Sequence, residues 1–407
     1  MLYCRALRLR SEIVHKIRRF LIEDHGFIDV ETPTLFRRTP GGAAEFLVPA
    51  APPNQGKCYS LPQSPQQFKQ LLMIGAIDRY FQIARCYRDE GSKGDRQPEF
   101  TQVDLELSFT NQDAVMQLVE DMIISAWPDS LSSVKPIYPF PRMKYSDAMR
   151  LYGTDKPDMR IPWVIEDCTD QLGMQNLFSE SMRDFLNCFI IGQLRPSLHR
   201  SDWVARLIVC RGQGKHITES RKKEWQRVIQ INDLGRIMAH WVVDFPLFSM
   251  KNGKLVSTHH PFTAPIDTHK NRLQNDQKKQ ELIGQHYDLV INGVEIGGGS
   301  IRIHSASEQI NVLETLGENV GEMAHLLEAL SLGAPPHGGF ALGLDRFAAL
   351  LVGNGDSSVP VREVIAFPKS KDGRDLMSGA PVVPVIEELN RYRMLFQRNA
   401  ELEENID

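Results

Sequence analysis

At 407 residues, 42% hydrophobic and 24% charged, the chain has the composition of a folded globular protein with mass for two or three domains, and disorder is excluded. Its 47 Lys/Arg stand against 51 Asp/Glu, a net charge of −4, so any nucleic acid must be held by local patches and not by a global basic field. The longest charge-free stretch, 329–344, contains Pro335, Pro336 and four glycines, which excludes a membrane helix there. Six scattered cysteines (Cys4, Cys58, Cys86, Cys168, Cys188, Cys210) form no CxxC pair, as expected of a reducing compartment and no structural zinc.

Arg5, Arg8 and Arg10, with no acid among the first ten residues, would suit a transit sequence. They run straight into an amphipathic helix over 11–25, with Ile13, Ile17, Phe20 and Leu21 on one face and Gly26 as its stop. The start of a folded domain is therefore the preferred reading. Residues 27–30 form a strand halted by Pro33. Ser64-Pro65-Gln66-Gln67 reads as a capping box that opens a helix to about Gly75, with Gln66 and Lys69 on one face.

Residues 80–88 read as a strand, 91–95 as a mobile turn and 100–109 as the returning strand. Val103, Leu105, Leu107 and Phe109 alternate there with Gln102, Asp104, Glu106 and Ser108. Periodicity alone indicates a half-solvated sheet, with a polar cleft floor as the alternative.

The stretch 161–238 has a different character, with 11 Lys/Arg, 9 Asp/Glu and helical runs such as 219–232. It reads as a separate inserted module. Asn292-Gly293 marks a second hairpin. Gly297-Gly298-Gly299 on its outgoing strand indicates either a bulge or a close approach of ligand or backbone. Residues 338–344 read as a strand and 345–352 as a helix. Arg346 in that helix's first turn opposes the macrodipole and is better placed if an anion binds beside it.

Five blocks, in order, give the chain a resemblance to class II aminoacyl-tRNA synthetases, and within them to the bacterial and mitochondrial type of aspartyl-tRNA synthetase. They are Phe27-Ile28-Asp29-Val30-Glu31-Thr32-Pro33 (motif 1), Gln63-Ser64-Pro65-Gln66-Gln67-Phe68-Lys69-Gln70, the run 80–109 with Arg88-Asp89-Glu90 and Arg96-Gln97-Pro98-Glu99-Phe100-Thr101-Gln102 (motif 2), Gly293-Val294-Glu295-Ile296-Gly297-Gly298-Gly299-Ser300-Ile301-Arg302, and Gly343-Leu344-Asp345-Arg346 (motif 3). The similarity covers about 1–160 and 239–380. It implies an α+β fold, a class II synthetase-like antiparallel β-sheet flanked by helices with an inserted α/β module. Its parts are 1–160, the module 161–238, and 239–407 with a C-terminal extension.

The implied activity is ATP-dependent activation of L-aspartate and transfer to tRNA(Asp), with Mg2+, by a homodimer without membrane attachment. The implied setting is the mitochondrial matrix, or else a bacterial cytoplasm. Arg88, Arg346 and Glu295 match the family's catalytic positions, Arg88 bridging carboxylate and α-phosphate with its planar fork. Glu90, Gln97 and Phe100 match further ATP contacts, Phe100 stacking on adenine. Asp288 and Glu295 match the magnesium ligands. Ser64, Gln66, Lys69, Gln102, Asp104, His259, His260 and Arg302 match the aspartate site, where a bidentate Arg302 would separate aspartate from asparagine.

The sequence departs from the family in four places. The motif 1 helix begins within about ten residues of Met1, so the anticodon-reading barrel is expected to be missing. Gly41 stands where bacterial members carry a glutamate. The module at 161–238 is shortened, and the loop 354–360 is slightly long. The alternatives are an aspartate-activating paralogue with impaired tRNA charging, or a non-catalytic dimerising isoform. The intact set Arg88, Lys69, Glu295, Arg302 and Arg346 argues against the latter.

Overall fold

The computed structural model of the protein describes residues 2–39, 42–90, 94–161, 164–167, 189–191, 236–270, 272–275 and 278–394. Its frame is one sheet of eight strands: β1 (Ile28–Asp29), β2 (Arg79–Tyr87), β3 (Glu99–Ser108), β4 (Arg142–Lys144), β5 (Ala239–Val243), β6 (His286–Ile291), β7 (Val294–Ile301) and β8 (His337–Gly343). Their order is β1-β2-β3-β8-β7-β6-β5-β4. The expected antiparallel pairing holds from β2 through to β5, while the edge strands β1 and β4 join in parallel.

Five helices position the site: α1 (Leu2–Arg19), α2 (Gln66–Ile74), α3 (Gln112–Ser125), α4 (Tyr145–Tyr152) and α5 (Leu344–Val352). One face of the sheet presents Val103, Leu105, Tyr287, Leu289, Phe340, Leu342 and Trp241 to a continuous core. Ile13 and Ile17 of α1, Val115, Val119 and Met122 of α3, and Phe347 and Leu350 of α5 fill the same core.

The first helix starts earlier than its apolar periodicity indicates. Ala6 packs with Ala348 and Ala349 of α5, and Arg5 and Arg8 are simply its solvent side. Arg10 pairs with Asp345, whose other oxygen accepts from the Thr101 amide at 2.9 Å. This tie fastens α1, β3 and the start of α5 together. A π-helical turn, Phe20–Asp24, precedes Gly26, which takes φ +66°.

Three local expectations are corrected. The capping box at Ser64 does not form: α2 begins one residue later, and Pro65 at the cap position has no side-chain acceptor to offer. Phe109 is not on the apolar face of β3, because the strand ends at Ser108 and Phe109 turns outward at φ +53°, 77% exposed. The polar face of β3 is not half-solvated either, since Asp104 and Glu106 are both fully buried. The reason is that Lys69 of α2 covers them as their counter-ion.

The helical run 219–232 and most of the inserted module lie outside the described residues, as do Gly41, Cys168, Cys188, Cys210 and three residues of the expected turn at 91–95. Within the module, Ile165–Asp167 pairs antiparallel with Phe189–Ile191. Cys4, Cys58 and Cys86 are free thiols. Among the described residues, no helix is long and apolar enough to cross a membrane.

Glu120 of α3 is buried and accepts from Trp241 Nε1 at 2.8 Å and from the Phe140 amide at 3.0 Å. Glu120→Leu leaves two buried donors unpaired and should lower stability by about 3 kcal/mol in urea denaturation. A loss under about 1 kcal/mol would show that these bonds do not hold α3 to the sheet.

Candidate active site

The strand pleat sorts the site from the core. Asp104 pairs in register with Ala341, Ala341 with Gly298, and Gly298 with Asp288. In the next row of the same face, Glu106 pairs with Gly339, Gly339 with Ser300, and Ser300 with His286. Polar ends thus surround a centre of small residues, Ala341 and Gly298 in one row and Gly339 and Ser300 in the next. A Cβ at Gly298 would stand 2.3 Å from Asp288 Oδ1, and one at Gly339 would stand 1.9 Å from Glu106 Oε2. On the opposite face, Gly297 and Gly299 admit the Phe340 and Tyr287 rings, which a Cβ would meet at 2.6 and 2.7 Å.

Both readings of the triple glycine therefore hold, because a bulge sits beside the close approach. Leu289 pairs with Gly297 but Val290 pairs with Glu295, which makes Ile296 the extra residue. Ile296 enters the core, and Glu295 moves to the cleft side from the face that strict alternation would give it.

At one end of this floor lies a buried lattice of charge. Lys69 donates to Asp104 at 2.8 Å and approaches Glu106 at 3.2 Å. Arg302 Nε and Nη2 donate to the two Glu106 oxygens at 2.8 and 3.0 Å. Arg302 Nη1 donates to Ser300 Oγ at 2.7 Å and to His260 Nε2 at 2.6 Å. One bidentate edge of Arg302 is therefore spent on Glu106. A substrate carboxylate would have to take the Nη1/Nη2 edge, against His260. His260 has a pKa well below the usual imidazole range, through burial first and then through the charges of His259 and Arg302, whereas His259 is exposed on the cleft wall. His259 also stacks on His286 at 4.0 Å.

Asp104 Oδ2 and Gln66 Nε2 are buried without a hydrogen-bond partner among the described residues. Burial pushes the Asp104 carboxyl up, and Lys69 pulls it back. An arriving ammonium group would satisfy the open oxygen. Gln102 lies beside them and accepts from Cys86 Sγ at 3.3 Å. Ser64 is half-buried just before α2.

The other end is an open cleft of about 860 Å³, lined by Arg88, Glu90, Gln97, Phe100, Glu295 and Arg346, with Gln102 and His259 also facing it. The Arg88 guanidinium lies 5.0 Å from the Phe100 ring centre, and its Nε is buried without a partner among the described residues. Arg96 donates to Glu90 at 3.1 Å. Gln97 Oε1 accepts from the Lys369 amide at 2.8 Å, so the C-terminal segment fixes its orientation. Arg346 Nη1 donates to the Glu295 carbonyl at 3.1 Å and its Nη2 reaches Asp95 at 3.4 Å.

Asp288 and Glu295 are the candidate metal ligands. Burial, then the charge of Glu295, pushes the Asp288 carboxyl well up. Burial acts to raise Glu295 as well, but Lys156 holds it down at about 2. Asp288 Oδ1 accepts from His286 Nε2 at 2.8 Å. No group of three or more His, Cys, Asp or Glu residues that could hold a metal occurs among the described residues. Two carboxylates without a full cage fit Mg2+, which is commonly held by one or two acids together with substrate phosphates.

Sequence reasoning missed Glu106, Ser300, His286 and Lys156. The alternation in β3 placed Glu106 on the correct face, and its partnership with Arg302, 196 residues away, was the hidden part. Nothing in the loop-like Gly153-Thr154-Asp155-Lys156 singled out the lysine.

The family described as tRNA synthetases class II (D, K and N) matches residues 3–371. The chain is 44% identical to the mitochondrial aspartate--tRNA ligase of Mus musculus, over 95% of this chain and 68% of that protein. It is 37% identical to the aspartate--tRNA ligase of Streptococcus pneumoniae serotype 19F, over 95% of this chain and 74% of that one. In fold it resembles the asparaginyl-tRNA synthetase of Entamoeba histolytica in complex with asparaginyl-adenylate. The TM-score there is 0.58 at 19% identity, covering 90% of this chain and 67% of that one.

Burial works to raise the Glu106 carboxyl, but Arg302 and then Lys69 hold it at about 2, below the ordinary 4.5. A lowered carboxyl pKa stabilises the fold fully above pH 4.5, and that contribution is lost as pH falls toward 2. Glu106→Gln strands Arg302 and should cost about 3 kcal/mol near neutral pH. In urea denaturation the gap between wild type and variant should narrow below pH 4.5. A gap independent of pH would show that the two cations do not hold Glu106 ionised.

Proposed function

Because the chain belongs to the class II tRNA synthetases of the D, K and N group, we propose that it activates L-aspartate with ATP and transfers it to the 3′ end of tRNA(Asp). The single observation that carries this reading is the buried Lys69–Glu106–Arg302 cluster beside the open cleft that holds Arg88 and Arg346. One end suits an amino acid with a side-chain carboxylate, and the other suits a polyphosphate.

Lys69 and Arg302 bind the side-chain carboxylate, and the open Asp104 oxygen and Gln66 take the α-amino group. Arg88 faces the α-carboxylate and the α-phosphate together. A carboxylate oxygen attacks the α-phosphorus, the bond to the β-phosphate oxygen breaks, and pyrophosphate leaves. The 3′-terminal ribose hydroxyl then attacks the acyl carbonyl and displaces AMP. No side chain acts as nucleophile in either step. The residues bind, orient and balance charge. Phe100 supplies a ring face for adenine, and Arg346, anchored on the Glu295 carbonyl, meets the phosphates. Mg2+ held by Asp288 and Glu295 would supply positive charge to those phosphates.

The same reading treats 1–160 and 239–407 as one catalytic unit interrupted by the module 161–238. In support, β1 to β4 come from the first part, β5 to β8 from the second, and all share one sheet. Homodimerisation is supported by exposed apolar side chains, Ile28 on the edge strand β1 and Leu35 in the loop that follows it. A mitochondrial site of action is supported by the greater likeness to the mitochondrial relative than to the streptococcal one, 44% against 37%.

Aspartate-dependent ATP–pyrophosphate exchange tests the reading. Wild type should exchange, Arg302→Leu should lose more than about a hundredfold in kcat/KM for aspartate, and Arg346→Ala should lose about as much in kcat. Absence of exchange in the folded wild type would overturn it.

A further inference from the structure

Lys156 lies on no helix or strand, yet its ammonium group is ion-paired with Glu295. The backbone that carries it is fixed by bonds that do not involve that group. Arg160 clasps Asp158, with nitrogen–oxygen distances between 2.6 and 3.2 Å. Arg160 Nη1 and Asn292 Nδ2 both donate to the Gly355 carbonyl, at 3.2 and 2.9 Å. Thr154 Oγ1 accepts from the Lys156 amide at 3.2 Å, and Pro157 is buried. The segment after α4 is thus pinned to the tip of the β6–β7 hairpin and to the loop after α5. The Lys156 ammonium group can change partner without loosening its backbone.

Its surroundings favour such a change. Glu295 stands between two cations, Lys156 on its carboxylate and Arg346 on its carbonyl. Asp288 and Asp155 lie near enough to act on Lys156 electrostatically. A divalent cation on Asp288 and Glu295 would compete with Lys156 for the Glu295 carboxylate. The displaced ammonium would remain beside Glu295, which lines the cleft suited to a polyphosphate, and a lysine there acts as a compact charge with rotatable donors.

We propose that Lys156 is a phosphate-binding residue of this site: it neutralises Glu295 while the site is empty and passes to the phosphate oxygens of the nucleotide when a divalent cation takes Glu295. The proposal deepens the functional reading above and rests on it.

Two equilibrium titrations of the full chain test it, Mn2+ alone and Mg-ATP without aspartate. In Lys156→Met, affinity for Mn2+ alone should rise severalfold because Glu295 has lost its competitor. Affinity for Mg-ATP should fall about tenfold, the worth of one charge-assisted bond. Lys156→Arg should keep Mg-ATP binding within about threefold of wild type, since the charge remains. If methionine disturbs folding, Lys156→Gln should give the same opposed shifts. A merely structural ion pair would move neither affinity, or would weaken both together, and either result overturns the proposal. Wild type that binds no Mg-ATP would overturn the functional reading itself, whereas normal wild-type binding with an unaffected variant would overturn this inference alone.

Discussion

The candidate site depends on one carboxylate, Glu106, fixed between Arg302 and Lys69 in the interior of the sheet. A lone acid there would be protonated, and two lone cations would be expelled or neutralised. Together with Asp104 they form a balanced group of two cations and two acids that can stay buried without net charge. The balance also fixes geometry. Arg302 is held through two parallel bonds to Glu106 and cannot rotate without breaking both. Its remaining edge is therefore presented in one orientation, as selecting a carboxylate over an amide requires.

That arrangement in turn depends on small residues. Glu106 needs the space that any side chain at Gly339 would occupy, and Asp288 needs the space above Gly298. The core face needs the same economy at Gly297 and Gly299, where aromatic rings press on the strand. The bulge at Ile296 then lets one strand serve both demands, giving an isoleucine to the core and Glu295 to the cleft. Catalytic geometry and core packing are thus two faces of a single strand pair, and neither can be altered alone.

Much of this was legible in the sequence. Alternation in β3 put Asp104 and Glu106 on one face, and the Asn292-Gly293 turn and the glycine run located the hairpin. The position of Arg346 in the first turn of α5 read as better suited to a bound anion, and the structure places the residue on the cleft wall. The family resemblance brought Lys69, Arg88, Glu295 and Arg302 into one site, and the structure places Lys69 with Arg302 around Glu106 and Arg88 with Glu295 on the wall of the cleft. Burial was not legible. Periodicity tells which face a residue takes but not what covers that face, so by alternation alone Asp104 and Glu106 read as half-solvated, whereas α2 lies across them through Lys69. Long-range pairing was equally hidden, as in Arg10 with Asp345 and Arg160 with Gly355, because sequence spacing carries no information about contacts made through the fold.

The central claim is that Glu106, which need not touch the substrate, sets the selectivity of Arg302. The direct measurement is the ratio of kcat/KM for aspartate to that for asparagine in ATP–pyrophosphate exchange, compared between wild type and Glu106→Gln. The account predicts a fall of about tenfold or more in that ratio, with KM for ATP unchanged, because Arg302 loses its fixed orientation while the nucleotide cleft does not. An unchanged ratio in a folded variant would contradict it.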